Sequence, residues 1–205
     1  PDNATQRYLY RAGINGGGIE RVTPKALHGT HSYKISPDSK WAIHQRSSAT
    51  EPPAWELIAL PDHRSVRKLE DNQALNQKLK KLSRVPTEFF QVDIGGGVTL
   101  DGWCIKPPDF DPSGSYPLLV YVYGEPAGQT VVDRWGGNNY LWHLMLAQRG
   151  YVVMSFDNRG TKAPRGRAWR KSIYKKIGIL PPKDQAAAVR AVLKKRPYLD
   201  PDRVG

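Results

Sequence analysis

Cysteine is all but absent. Cys104 is the only one in 205 residues, which excludes an intrachain disulfide and a thiolate metal cluster. Long apolar runs are missing as well. The longest, Pro117 to Tyr123, has the length of a buried strand and falls well short of the roughly 18–20 residues that a membrane-spanning helix needs. Tight metal-ligand spacing is lacking: His28, His31, His44, His63 and His143 are scattered, and the close pair His28/His31 sits in a Gly/Thr-rich turn without a third ligand. No metal and no cofactor are expected. The opening residues, Pro1-Asp2-Asn3-Ala4-Thr5, contain neither an initiator Met nor the basic and apolar parts of a signal peptide. The natural N-terminus is therefore expected to lie outside this chain, and neither periplasm nor cytoplasm is favoured.

Acids are in deficit, 19 against 31 basic residues, for a net charge of +12. That excess invites a nucleic-acid reading. The densest stretch, Lys162 to Lys176, holds Arg165, Arg167, Arg170, Lys171 and Lys175 without one acid. Only Trp169 and Tyr174 interleave with it, and no RNP, KH or zinc-finger pattern accompanies it. The segment reads as a solvated basic helix face, and no nucleic-acid partner is expected.

What is present changes character near residue 70. Upstream, short strand-like runs alternate with turn signals. Arg7–Arg11 and Ile19–Thr23 flank Asn15-Gly16-Gly17-Gly18 as a hairpin. Four further runs follow at Ser32–Ile35, Lys40–His44, Ala54–Leu60 and Ser65–Leu69. Four antiparallel strands in about forty residues match one propeller blade, although a sandwich fragment has the same period. Asp71–Arg84 is polar with spaced leucines and predicts a short linking helix.

Downstream the pattern becomes α/β. A hairpin is expected from Phe89–Ile94 and Val98–Ile105, and a strand buried on both faces from Pro117–Tyr123. A helix over Asn139–Arg149 is expected to bury Leu141, Leu144 and Met145. Tyr151–Phe156 predicts a strand, Arg167–Lys176 a basic helix, and Asp184–Lys195 an Ala-rich helix with Ala186, Val189 and Leu193 on its apolar stripe. A βαβ order of this kind forms a parallel sheet with helices on both faces.

The ordered series Leu100-Asp101-Gly102-Trp103, Ile105-Lys106-Pro107-Pro108, Asp109-Phe110-Asp111-Pro112 and Tyr116–Gly124 resembles the start of the catalytic domain in dipeptidyl peptidase IV-like enzymes of the prolyl oligopeptidase family. Ser155-Phe156-Asp157-Asn158-Arg159-Gly160 and Lys183-Asp184-Gln185-Ala186 keep the family order, and Leu69–Leu75 resembles its domain junction. The resemblance implies an α/β-hydrolase domain preceded by a β-propeller. Residues 1–70 would be its last blade or blades. Residues 71–205 would be the N-terminal part of the catalytic domain, cut before the nucleophile elbow. It also implies a serine-type peptidase releasing N-terminal dipeptides after Pro or Ala through an acyl-enzyme, with a homodimer as one form of the parent.

One site residue carries over. The family tyrosine that ends this strand gives its hydroxyl to the oxyanion hole, and here it is Tyr123. The nucleophile, acid and histidine have no counterpart, since no Gly-x-Ser-x-Gly pentapeptide occurs. Asp157 with Arg159 reads as a turn-stabilising pair, Asp184 as a helix N-cap, and Cys104 as a small buried hydrophobe. Ser172 and His143 lack partners for catalysis.

The family's Gly-Gly-Pro is Gly124-Glu125-Pro126 here. A positive φ at Glu125 would cost about 1–2 kcal/mol. Two other classes stay open beside the enzyme: a non-catalytic homologue acting as a binding module, and a basic nucleic-acid-binding protein.

Overall fold

The structure is a computed structural model that describes residues 3–205. It divides into two units. One comprises Thr5–Leu82 with Val132–Gly137, and the other is built on Ser83–Val131 and Asn138–Gly205.

In the first unit, β1 (Tyr10–Ala12) and β2 (Ile19–Arg21) form a short antiparallel hairpin. The other strands are β3 (Thr30–Ile35), β4 (Trp41–Ser47), β5 (Ala54–Ala59) and β6 (Arg64–Glu70). They make one antiparallel sheet in chain order, β3-β4-β5-β6. Buried and exposed positions alternate along the start of β4, so Ala42 and His44 face inward. Every residue of β6, last in the order, is exposed, and its Arg64, Arg67, Lys68 and Glu70 suit a strand that needs charge to stay soluble. Helix α1 (Gln73–Lys80) follows.

A polar chain crosses this sheet. Tyr33, His44 and Glu56 are direct cross-strand neighbours. His44 Nδ1 lies 3.0 Å from Glu56 Oε1, and His44 Nε2 lies 2.8 Å from His31 Nδ1. Tyr33 Oη meets His63 Nε2 at 2.9 Å. With Glu56 ionised, His44 must donate from Nδ1, which leaves its Nε2 to accept from His31. The two histidines are therefore bonded with both rings neutral, while His31 Nε2 is buried without a partner among the described residues. Burial, reinforced by positive charge on His44, lowers the His31 pKa to about 4, and burial lowers that of His44 as well.

The sign follows from linkage. A folded-state pKa below the unfolded value of about 6.5 gives stability that is complete above pH 6.5 and lost as pH falls towards 4. The first unit should lose about 2 kcal/mol over that window, after allowance for solvent screening. Urea melts at pH 7 and pH 4.5 should show this, and His31→Gln should flatten the difference; an unchanged pH slope in that variant would refute it.

In the second unit, β7 (Glu88–Asp93) and β8 (Thr99–Ile105) form a hairpin, with Glu88 opposite Cys104. Then come β9 (Tyr116–Val120), α2 (Gly137–Gln148), β10 (Val152–Phe156), α3 (Gly166–Lys171), α4 (Leu180–Lys195) and β11 (Leu199–Val204). The sheet order is β11-β9-β10-β8-β7, with β11, β9 and β10 parallel and the β8–β7 side antiparallel. All of β10 is buried. Its Val152, Met154 and Phe156 share a core with Val92, Leu100, Leu118 and Leu199, and with Ala188 and Val192 of α4.

Several expectations need correction. Strand β9 ends at Val120, and only Leu118 in it is fully buried. Val122 and Tyr123 are exposed beyond the strand, because the chain turns at Gly124, whose φ is +79°. Helix α2 buries Tyr140, His143, Leu144 and Ala147, an i, i+3, i+4, i+7 stripe, while Leu141 and Met145 face outward. Helix α4 begins four residues before Asp184, with Pro181 and Pro182 in its first turn, where a missing N–H costs nothing. Its buried stripe is Pro181, Asp184, Ala188 and Val192. Among the described residues no helix is long and apolar enough to cross a membrane.

Candidate active site

Tyr123 lies at the mouth of the loop that follows β9. Its ring packs closely against Gly128, where a methyl group would overlap the ring carbons. Half of the residue is exposed. Its hydroxyl has no hydrogen-bond partner among the described residues. A phenol that packs through its ring and leaves its O–H without a protein partner is a donor available to a ligand.

The loop is held from beneath by side chains that the sequence reading did not connect with it. Tyr121 N donates to Met154 O at 2.8 Å, and Ser155 Oγ donates to Tyr121 O at 2.6 Å. Asn158 Nδ2 donates to Gly124 O at 3.1 Å, which fastens the turn next to Tyr123 to the loop after β10. Gln185 Nε2 in turn donates to Asn158 Oδ1 (3.1 Å) and to Phe156 O (2.8 Å). Asn158 and Gln185 lie in the two short series that keep the family order, but their bonds to Gly124, to Phe156 and to each other join segments 27 to 34 residues apart, so spacing alone did not link them to the loop.

Asp184 is not an N-cap. It lies buried inside α4 and takes a bidentate pair from Arg159, Nε to Oδ2 at 3.0 Å and Nη2 to Oδ1 at 2.7 Å. Arg159 N also donates to Asp184 Oδ2 at 3.0 Å. The hydrogen bonds to Asp184 raise the Arg159 pKa. Arg159 is thus paired with Asp184 and not with Asp157, which corrects the turn-pair expectation.

Asp157 instead accepts from Thr130 N at 2.9 Å and Thr130 Oγ1 at 3.2 Å, and its Oδ2 has no partner among the described residues. Burial pushes its pKa up to about 6. An acid raised in this way contributes stability below pH 4 that is lost as pH rises through 6, opposite to the histidine chain of the first unit.

The remaining candidates are structural. Positive φ falls on Gly124, and Glu125 is not among the residues with positive φ, so the strain considered for Glu125 does not arise. Cys104 is buried, and burial pushes its thiol up to about 12. Ser172 Oγ donates to Trp169 O at 2.6 Å, while His143 is buried among Trp103, Tyr121 and Trp142. The two form no nucleophile–base pair. His31 is bonded to His44, and among the described residues no group of three His, Cys, Asp or Glu is arranged to hold a metal ion.

Residues 139–205 match the model of the Prolyl oligopeptidase family. A probable dipeptidyl peptidase 4 of Trichophyton verrucosum is 33% identical over 155 residues, 75% of this chain and 20% of the relative. A probable dipeptidyl-aminopeptidase B of Emericella nidulans is 32% identical over 98% of this chain and 22% of its own length. Among solved structures, dipeptidyl peptidase 4 of Porphyromonas gingivalis aligns with a TM-score of 0.89 and 34% identity over 100% of this chain and 28% of that one. A putative dipeptidyl aminopeptidase IV of Bacteroides ovatus aligns at 0.79 and 27%, over 96% and 27% of the two chains.

The chain belongs to the prolyl oligopeptidase family. Within it, this sequence is dipeptidyl peptidase IV-like. It spans about a fifth of the length of the curated relatives it matches.

Proposed function

We propose that this chain is part of a serine-type dipeptidyl peptidase that releases N-terminal dipeptides through an acyl-enzyme. Its substrates are peptides with Pro or Ala at the second position, and its parent is a homodimer. In this reading residues 1–70 are the last blade or blades of a β-propeller, and residues 71–205 the N-terminal part of the α/β-hydrolase domain. The four-stranded antiparallel β3–β6 sheet has the strand number and order of a blade, and the parallel strands β9 and β10, joined through α2, fit the second assignment.

The observation that carries the reading is Tyr123, whose ring packs against Gly128 and whose hydroxyl has no partner among the described residues. Acyl transfer places negative charge on the carbonyl oxygen of the tetrahedral intermediate. A donor already in place there stabilises the transition state by about 3–4 kcal/mol. In this reading the serine, acid and histidine come from residues beyond these 205.

The purified 205-residue chain should then show only background hydrolysis of an Ala-Pro or Gly-Pro chromogenic substrate. A protein expressed from coding sequence extended on both sides should release the leaving group, and a serine-directed inhibitor should block it. Inhibitor-sensitive activity in the 205-residue chain, or a folded extended protein without activity, would overturn the proposal.

A further inference from the structure

Lys162, Arg167, Arg170 and Lys171 converge on one concavity of about 450 Å³, which they line together with Pro126 and Gly160. No carboxylate lines it. All four cations are exposed, and none forms an ion pair with a described acid. Their neighbours differ. Arg165 donates to Thr99 O at 2.6 Å, approaches Asp101 at 3.5 Å and stacks on Trp169 at 3.9 Å, while Arg159 is held by Asp184. Cations with a structural task here have partners. The four around the concavity have solvent, and they repel one another.

The sequence pattern of this segment suggested a solvated helix face. The four are indeed exposed, and folding also brings Lys162, from the loop, to the same hollow as three residues of α3. The hollow adjoins the candidate site. Pro126 follows the Tyr123–Gly124 turn, and Lys162 N donates to the carbonyl of Gly128, the residue beneath the Tyr123 ring.

We propose that this concavity is an anion subsite that takes the carboxylate side chains of an acidic peptide beside Tyr123. The choice of a peptide rests on the peptidase reading; the charge requirement does not. Four like charges facing a concave wall concentrate potential there, and bound carboxylates relieve the repulsion. A single-stranded nucleic acid fits less well, because it needs aromatic faces for its bases and none lines the hollow.

The test measures fluorescence anisotropy of C-terminally labelled Ala-Pro-Glu-Asp-Glu with the 205-residue chain at about 50 mM salt, where surface fields are weakly screened. Saturable binding is expected, about tenfold tighter than for Ala-Pro-Gln-Asn-Gln. The triple variant Arg167→Gln, Arg170→Gln, Lys171→Gln should bind the acidic peptide no better than the neutral one. Lys194→Gln with Lys195→Gln, at the far end of α4, should bind as the parent chain does. Circular dichroism confirms folding of each variant. Equal affinity for the two peptides, undiminished binding by the triple variant, or tighter binding of an oligonucleotide of equal charge would overturn the subsite. Because the assay needs no turnover, it can fail while the peptidase reading stands, and the reverse also holds.

Discussion

Tyr123→Phe in the complete enzyme should lower kcat about 10²–10³-fold, with a smaller change in KM. The substitution removes one hydroxyl and keeps the ring. The ring is what Gly128 supports, so the loop after β9 should keep its shape. The hydroxyl has no partner among the described residues, so its loss leaves no buried group unsatisfied. Only a ligand can register the deletion. A donor that meets the carbonyl oxygen chiefly when charge develops on it acts on kcat more than on substrate affinity. Gly128→Ala makes the complementary test. It keeps the hydroxyl but drives a methyl group into the ring, so kcat should fall while the phenol is still present. Steady-state kinetics on an Ala-Pro substrate, with circular dichroism as a fold control, measures both. An unchanged kcat in Tyr123→Phe would remove the oxyanion assignment and leave this segment with no catalytic residue.

The largest loss of stability is expected from Arg159→Ala, about 3–5 kcal/mol in the second unit. Asp184 is buried in α4 and takes three hydrogen bonds from Arg159, two of them from the guanidinium. Removing the guanidinium strands a carboxylate away from water with one backbone donor left. Asp184→Asn should cost less, about 1–2 kcal/mol, because the Arg159 side chain is about a third exposed and can regain water. The order of the two variants is the discriminating result, measured by urea denaturation of each. If Arg159→Ala costs no more than Asp184→Asn, the pair is a surface contact. A catalytic consequence is expected too. Arg159 fixes the loop in which Asn158 holds the Gly124 carbonyl, so in the complete enzyme Arg159→Ala should lower kcat even under conditions where the protein stays folded.

Much of the architecture was legible because it rests on local rules. The β3–β6 strands announce themselves by β-rich runs between turn signals such as Ser36-Pro37-Asp38 and Pro61-Asp62. Alternation in β4 and the apolar run of β10, broken only by Ser155, follow from one-sided and two-sided burial. Cys104 was placed correctly as a buried hydrophobe by its strand context. The helices were found, but their faces were not. Apolar residues surround much of α2, so composition did not say that Tyr140 and His143 turn inward while Leu141 and Met145 turn out.

By itself, the sequence determined the element types, their order and the family, since these depend on propensity, period and an ordered series of short motifs. It also singled out Tyr123, through resemblance. Tertiary structure alone decided which charges are used. Arg159 reaches Asp184 across 25 residues, Asp157 serves Thr130 across 27, and a histidine chain joins β3 to β5 through His44. It also decided that Gly124, not Glu125, takes the left-handed turn, and that four unpaired cations share one hollow. The physical reason is range. Propensity acts over a few residues, whereas the balance between burying a charge and pairing it is set by whatever the folded chain brings within about 4 Å.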